Sequence, residues 1–127
     1  MNNWYAAHLI LYVKLKDQPQ QSYTIWENIV LVKAPTEEEA FAKAARRGRE
    51  EEGDDDGSFR WGGKPARWVF AGVRKLTLCE DSERRPGDGT EVSYLELEVD
   101  SEQAVSKLVR GESVSVKYRE EFSHAER

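Results

Sequence analysis

The chain has 127 residues, 39% hydrophobic and 10% aromatic, with 19 Lys and Arg against 24 Asp and Glu for a net charge of −5. That is the length of one domain with one core, and no apolar run approaches the roughly 20 residues of a membrane span. Asn2 and Asn3 stand where a secretory leader needs basic residues, and the lone Cys79 has no partner for an internal disulfide, so a cytoplasmic protein is expected.

Residues 3–15 alternate, with Tyr5, Ala7, Leu9, Leu11, Val13 and Leu15 on one parity and Trp4, Ala6, His8, Ile10, Tyr12 and Lys14 on the other. Apolar residues on both faces predict a strand covered on both sides. The polar turn formers of 16–22 connect it to a second strand over 23–34, giving an antiparallel hairpin. Pro35-Thr36-Glu37-Glu38-Glu39 then starts a helix, with Thr36 as cap, Glu39 as its capping-box partner and three acids at the positive end of the helix dipole. Ala40, Phe41, Ala44, Ala45 and Gly48 form its apolar stripe, directed at the sheet.

Residues 50–63 lose all periodicity and are expected to be a surface loop, with the acidic run 50–57 solvated and mobile. A long strand follows over 66–79, with Gly72 marking a bulge or a close backbone approach. After a turn at 84–89, residues 91–99 are expected as a half-exposed strand. Asp100 or Ser101 caps a short second helix that ends at Arg110 and Gly111, and Val114, Val116 and Tyr118 make a last strand. Residues 1–118 are one domain, and 119–127 are a charged tail expected to fray. The predicted class is α+β, a mainly antiparallel sheet of about five strands with two helices on one face, in the order β-β-α-β-β-α-β. Its last six elements have the ferredoxin-like order, which leaves an extra N-terminal strand. Trp26, Phe41, Trp68, Phe70 and Leu97 are the expected core.

Charge alternates in blocks along the chain. Residues 57–79 contain no acid, and Arg60, Lys64, Arg67, Arg74 and Lys75 are interleaved with Phe59, Trp61, Trp68 and Phe70. Cations beside rings suit single-stranded nucleic acid, where phosphates are neutralised and bases stack, so Arg60, Trp61, Arg67, Arg74 and Lys75 are the candidate binding residues. The plainer expectation is that Glu91, Glu96 and Glu98 of the next strand neutralise the block through cross-strand pairs, with Trp68 and Phe70 in the core. The net acidic chain also repels phosphate.

Catalytic and metal signals are weak. Glu50 to Gly57 imitates a calcium loop, but Gly63 stands where a bidentate Glu is required and Arg60 at the ninth position. Gly62-Gly63-Lys64 lacks the rest of a phosphate loop, no zinc spacing is present, and His8 lies among apolar strand residues while His124 falls in the tail. Neither a catalytic residue, a metal nor a cofactor is expected.

Asn3-Trp4-Tyr5-Ala6-Ala7, Trp26-Glu27-Asn28, Glu37-Glu38-Glu39-Ala40, Trp68-Val69-Phe70-Ala71-Gly72-Val73-Arg74-Lys75-Leu76 and Gly87-Asp88-Gly89-Thr90-Glu91-Val92 resemble the small bacterial domain-of-unknown-function family numbered 4288. The resemblance runs over residues 3–118. It implies a stand-alone bacterial cytoplasmic domain and carries over no catalytic or binding residue. The expected function is a non-enzymatic protein-interaction or regulatory domain, including the inhibitor or immunity-like class, with a protein partner or its own copy bound at an exposed sheet edge or face. The alternative is RNA, single-stranded DNA or nucleotide binding by the basic-aromatic segment.

Overall fold

The computed structural model describes residues 2–119. Strands β1 (Asn3–Leu15), β2 (Ile25–Ala34), β3 (Arg60–Trp61) and β4 (Lys64–Leu78) form one antiparallel sheet in the order β2-β1-β4-β3, and helix α1 (Glu37–Glu50) packs on one face. Strands β5 (Leu97–Glu98) and β6 (Lys117–Tyr118) pair separately, with helix α2 (Glu102–Val109) between them in sequence.

β1 is the central strand. Tyr5 to Leu9 are buried without interruption, because β2 and β4 flank the strand and both of its faces are covered. Tyr5, Ala7, Leu9 and Leu11 meet Ala40 and Ala44 of α1 together with Val73 and Leu76 of β4. Small residues on the helix let its axis come close to the sheet. Gly48 shows how close, since a Cβ there would lie 2.2 Å from Cε1 of Phe70. Thr36 caps α1 as predicted, its hydroxyl accepting from Glu39 N–H at 3.2 Å, and Ser101 caps α2 by accepting from Ala104 N–H at 3.1 Å.

β4 carries two bulges against β1. His8 opposes Lys75 and Leu9 opposes Val73, which leaves Arg74 as an extra residue, and Ala71 is extra in the same way beside Gly72. Gly72 takes φ 151°, so the bulge expected there is present. β3 and β4 join through Gly62 and Gly63, both at positive φ, as a two-residue hairpin requires.

Several expectations are corrected. The β-α-β-β-α-β sheet is absent: the main sheet has four strands, β1 is its central member rather than an added one, and β5 and β6 stay outside it. Within 91–99 only Leu97–Glu98 pairs as a strand, while Val92, Ser93 and Tyr94 bond to the side chains of Cys79, His8, Thr77 and Lys75. α2 buries no residue and is not a second cover on α1's face. The aromatic core is also displaced. Phe41, Trp68 and Phe70 are half-buried at the margin, and Trp26 is 51% exposed because β2 is an edge strand, so the centre is aliphatic and alanine-rich. Leu97 is half-buried in β5, outside the central cluster.

The acidic segment is tied down rather than free. Gly53 and Trp68 exchange backbone hydrogen bonds of 3.2 and 2.8 Å, and a Glu52 carboxylate oxygen accepts from Phe70 N–H at 2.8 Å. Lys16 pairs with Asp54 and holds its carboxyl below the usual carboxylate range, together with Gly57 N–H. The tail expectation lies, beyond Arg119, outside the described residues.

Candidate functional site

Even-numbered residues of β1 point away from α1, and on that open face the fold gathers polar groups from distant segments. His8 is fully buried. Its Nδ1 lies 2.7 Å from Glu27 Oε2 on β2, and its Nε2 lies 2.5 Å from Ser93 Oγ. Arg74 crosses the central strand from β4 to reach the same Glu27 oxygen at 3.0 Å, and the Tyr118 hydroxyl donates to Glu27 Oε1 at 3.3 Å. Ser93 also meets Thr77 Oγ1 at 3.1 Å. A neutral imidazole that donates from Nδ1 to the carboxylate accepts the Ser93 proton at Nε2, and every member has a partner.

Serine, imidazole and carboxylate therefore stand in the order of a hydrolytic triad. The surroundings differ from one. The Ser93 hydroxyl meets His8 and Thr77 of the sheet beneath it, and the imidazole has no exposed surface. A nucleophile needs an open side toward the substrate and a nearby group to hold the developing oxyanion. The arrangement links the 91–96 segment and Tyr118 to the open face. Cys79 belongs to the same attachment: its thiol donates to Val92 O at 3.5 Å, and burial pushes its pKa up, away from the reactive thiolate.

The five sequence-selected residues do not form one surface. Arg60 and Trp61 lie on β3, Arg67 near the start of β4, and Arg74 and Lys75 roughly 20 Å farther along that strand. Arg60 donates to the carbonyls of Gly57 and Phe59, and Arg67 is exposed. Arg74, whose side chain is 13% exposed, is taken by Glu27 and lies over the Tyr118 ring at 4.0 Å. Lys75 donates to Tyr94 O and sits 3.7 Å from the Tyr94 ring centroid. The acid that pairs with Arg74 is thus Glu27, not the expected Glu91, Glu96 or Glu98; Glu98 pairs with Arg119 at 3.2 Å.

Around Trp61 the rings cluster. Trp68 lies 4.7 Å from Trp26, 5.9 Å from Phe59 and 6.2 Å from Trp61, centroid to centroid. Trp68 is half-buried, while Trp61 is 39% exposed. A cavity of about 340 Å³ lies beside Trp61, between the β1–β2 turn, including Pro19 and Gln20, and the Gly62–Lys64 turn.

A third feature escaped the composition but follows from strand parity. Ile25, Ile29 and Leu31 lie on the open face of β2, and they are 59%, 48% and 43% exposed. Their alternation is readable in sequence; that they stay exposed among the described residues depends on the position of β2 at the end of the sheet.

No curated protein and no solved structure matches the chain. A family profile described as a domain of unknown function matches residues 4–93, a span that contains β1 to β4, α1 and the polar cluster as far as Ser93. No helix among the described residues is long and apolar enough to cross a membrane. With nearly three-quarters of its length matched, the chain belongs to the DUF4288 family.

Proposed function

We propose that this chain is a non-enzymatic, cytoplasmic protein-interaction module that binds another protein through the β2 side of its sheet. The observation that carries this reading is the uncovered apolar row Ile25, Ile29 and Leu31 on an edge strand. Exposed apolar side chains on one strand face are costly in water and mark association surfaces, and an unprotected edge adds main-chain groups that can pair. The polar cluster supports the same reading as a structural fastening, because its hydroxyl and imidazole face inward.

The test is affinity capture from the native host with the wild-type chain and an Ile25→Lys/Ile29→Lys variant, with absolute mass by light scattering. The expected result is a stoichiometric protein partner, or a concentration-dependent dimer, that the variant loses. A monomer that recovers no partner, or a partner retained by the folded variant, would sink the proposal.

A second reading, binding of RNA or single-stranded DNA, draws on the exposed Trp61 ring beside Arg60 and Lys64. Arg74 and Lys75 add little to it, since both are engaged within the fold. If it holds, fluorescence anisotropy with random oligonucleotides shows salt-sensitive binding that Trp61→Ala and Arg60→Ala weaken.

A further inference from the structure

We propose that the outer edge of β2, together with the basic flank of α1 beside it, is a docking groove for an extended acidic segment of a partner protein. The inference rests on the protein-interaction reading above and adds the place, the backbone geometry and the charge of what binds.

The phase of the β1–β2 ladder determines which groups face outward. Val13 N–H donates to Thr24 O at 3.1 Å, so Val13 and Thr24 are a hydrogen-bonded pair. In an antiparallel ladder such pairs alternate, so Trp26, Asn28, Val30 and Val32 turn their main-chain groups toward β1. Ile25, Glu27, Ile29, Leu31 and Lys33 turn theirs outward. Among the described residues, only the Lys33 carbonyl of these has a partner, Lys43 Nζ at 2.5 Å. The opposite side of the sheet is treated differently. There β3, Gly53 and the Glu52 carboxylate occupy the edge of β4 from Lys64 to Phe70. The chain closes the Lys64–Phe70 stretch of that edge with its own segments and leaves β2 presentable over Ile25 to Leu31.

Charge selects the occupant. At the Leu31–Lys33 end, α1 and β2 bound a groove of about 360 Å³ that Trp4, Leu31, Lys33, Lys43, Arg46 and Arg47 line. A second recess of about 390 Å³ shares Lys33, Lys43 and Arg46 and continues past Pro35. Glu50 and Glu39 stand at the two recesses, so four cations face two carboxylates. Arg47 is paired with Glu51 at 3.3 Å, whereas Lys33, Lys43 and Arg46 have no acidic partner among the described residues. An extended segment that adds a strand to β2 draws its affinity from main-chain hydrogen bonds, and the side chains over the groove set its specificity. One or two carboxylates placed opposite Lys43 and Arg46 complete the match.

The experiment titrates the full ¹⁵N-labelled chain with a ten-residue peptide of alternating valine and threonine bearing two central glutamates, and with its twin bearing two lysines. The expected result is shift changes confined to Ile25–Lys33 and Lys43–Arg47, with the lysine twin about tenfold weaker or worse. Lys43→Glu/Arg46→Glu, on an exposed helix flank, should weaken the glutamate peptide by about tenfold or more, tenfold being about 1.4 kcal/mol. Ile29→Pro removes an outward N–H without touching the β1 ladder and should abolish binding. No binding of either peptide at about 1 mM, equal binding of both, or binding indifferent to the helix double variant would overturn the proposal; so would a β2-mediated dimer that excludes the peptide. If the captured partner is lost in Ile25→Lys/Ile29→Lys but the peptides do not bind, the groove fails and the interaction reading stands.

Discussion

His8 on β1 and Glu27 on β2 are diagonal neighbours on the open face of the sheet, with Nδ1 2.7 Å from Oε2, and Arg74 reaches the same oxygen from the far side of β1. One carboxylate thereby serves groups from three strands. Glu27 and Arg74 keep side-chain exposures of only 18% and 13%, so removing either charge leaves the other in a poorly solvated place.

Glu27→Ala should therefore destabilise the fold by about 3 kcal/mol in urea unfolding, with Glu27→Gln intermediate because it retains hydrogen bonds but not the charge. Arg74→Ala combined with Glu27→Ala should cost less than the sum of the single changes. Strict additivity would show that the two side chains do not interact in solution.

Ser93 ties an irregular segment to the sheet through His8 and Thr77. Ser93→Ala should lower global stability by about 1 kcal/mol and raise amide exchange in 91–96 and 117–118 more than in β1. Exchange that rises equally in β1 would mean that this segment and the sheet open as one unit.

Gly48 faces Phe70 across the helix–sheet contact, and Gly48→Ala brings opposed effects. Alanine favours the helix by about 1 kcal/mol, but its Cβ would sit 2.2 Å from a ring carbon of a half-buried aromatic. Ring displacement should win, giving a net loss of about 1–3 kcal/mol. A stabilised Gly48→Ala protein would show that Phe70 moves aside at little cost.

Cys79 is 4% exposed, and burial holds its thiol pKa above the ordinary value of about 8.5. The folded state therefore retains a proton that the unfolded state releases. Its stabilising contribution is complete below the unfolded value and is lost as pH rises through the folded one. Unfolding free energy should fall above about pH 8.5 and fall less in Cys79→Ala. Alkylation at pH 8 should be much slower than in denaturant; an equal rate would place the thiol at the surface.

How much could be read in advance depended on the range of each signal. Local rules worked where they act over a few residues: both caps, the β1–β2 hairpin and a first strand covered on both faces follow from alternation and turn chemistry, and of the two readings of Gly72 the bulge is the one present. The Glu91–Val99 strand misled, because its alternation is genuine while residues 92–94 bond to the side chains of His8, Lys75 and Cys79, and only Leu97–Glu98 pairs with another strand. The aromatic core misled because ring size predicts burial only when the position is interior, and β2 is at an edge.

By itself, then, the sequence determined the α+β class, the first three major elements, the antiparallel pairing of the two strands among them and the family. Only the tertiary structure decided that His8, Glu27, Arg74 and Ser93 meet, that β2 ends the sheet, and that Arg60 and Arg74 stand far apart. The physical reason is the reach of the interactions. Caps, turns and side-chain alternation are settled between residues a few positions apart, whereas strand order and polar clusters arise from contacts such as His8 with Ser93, which no local periodicity records.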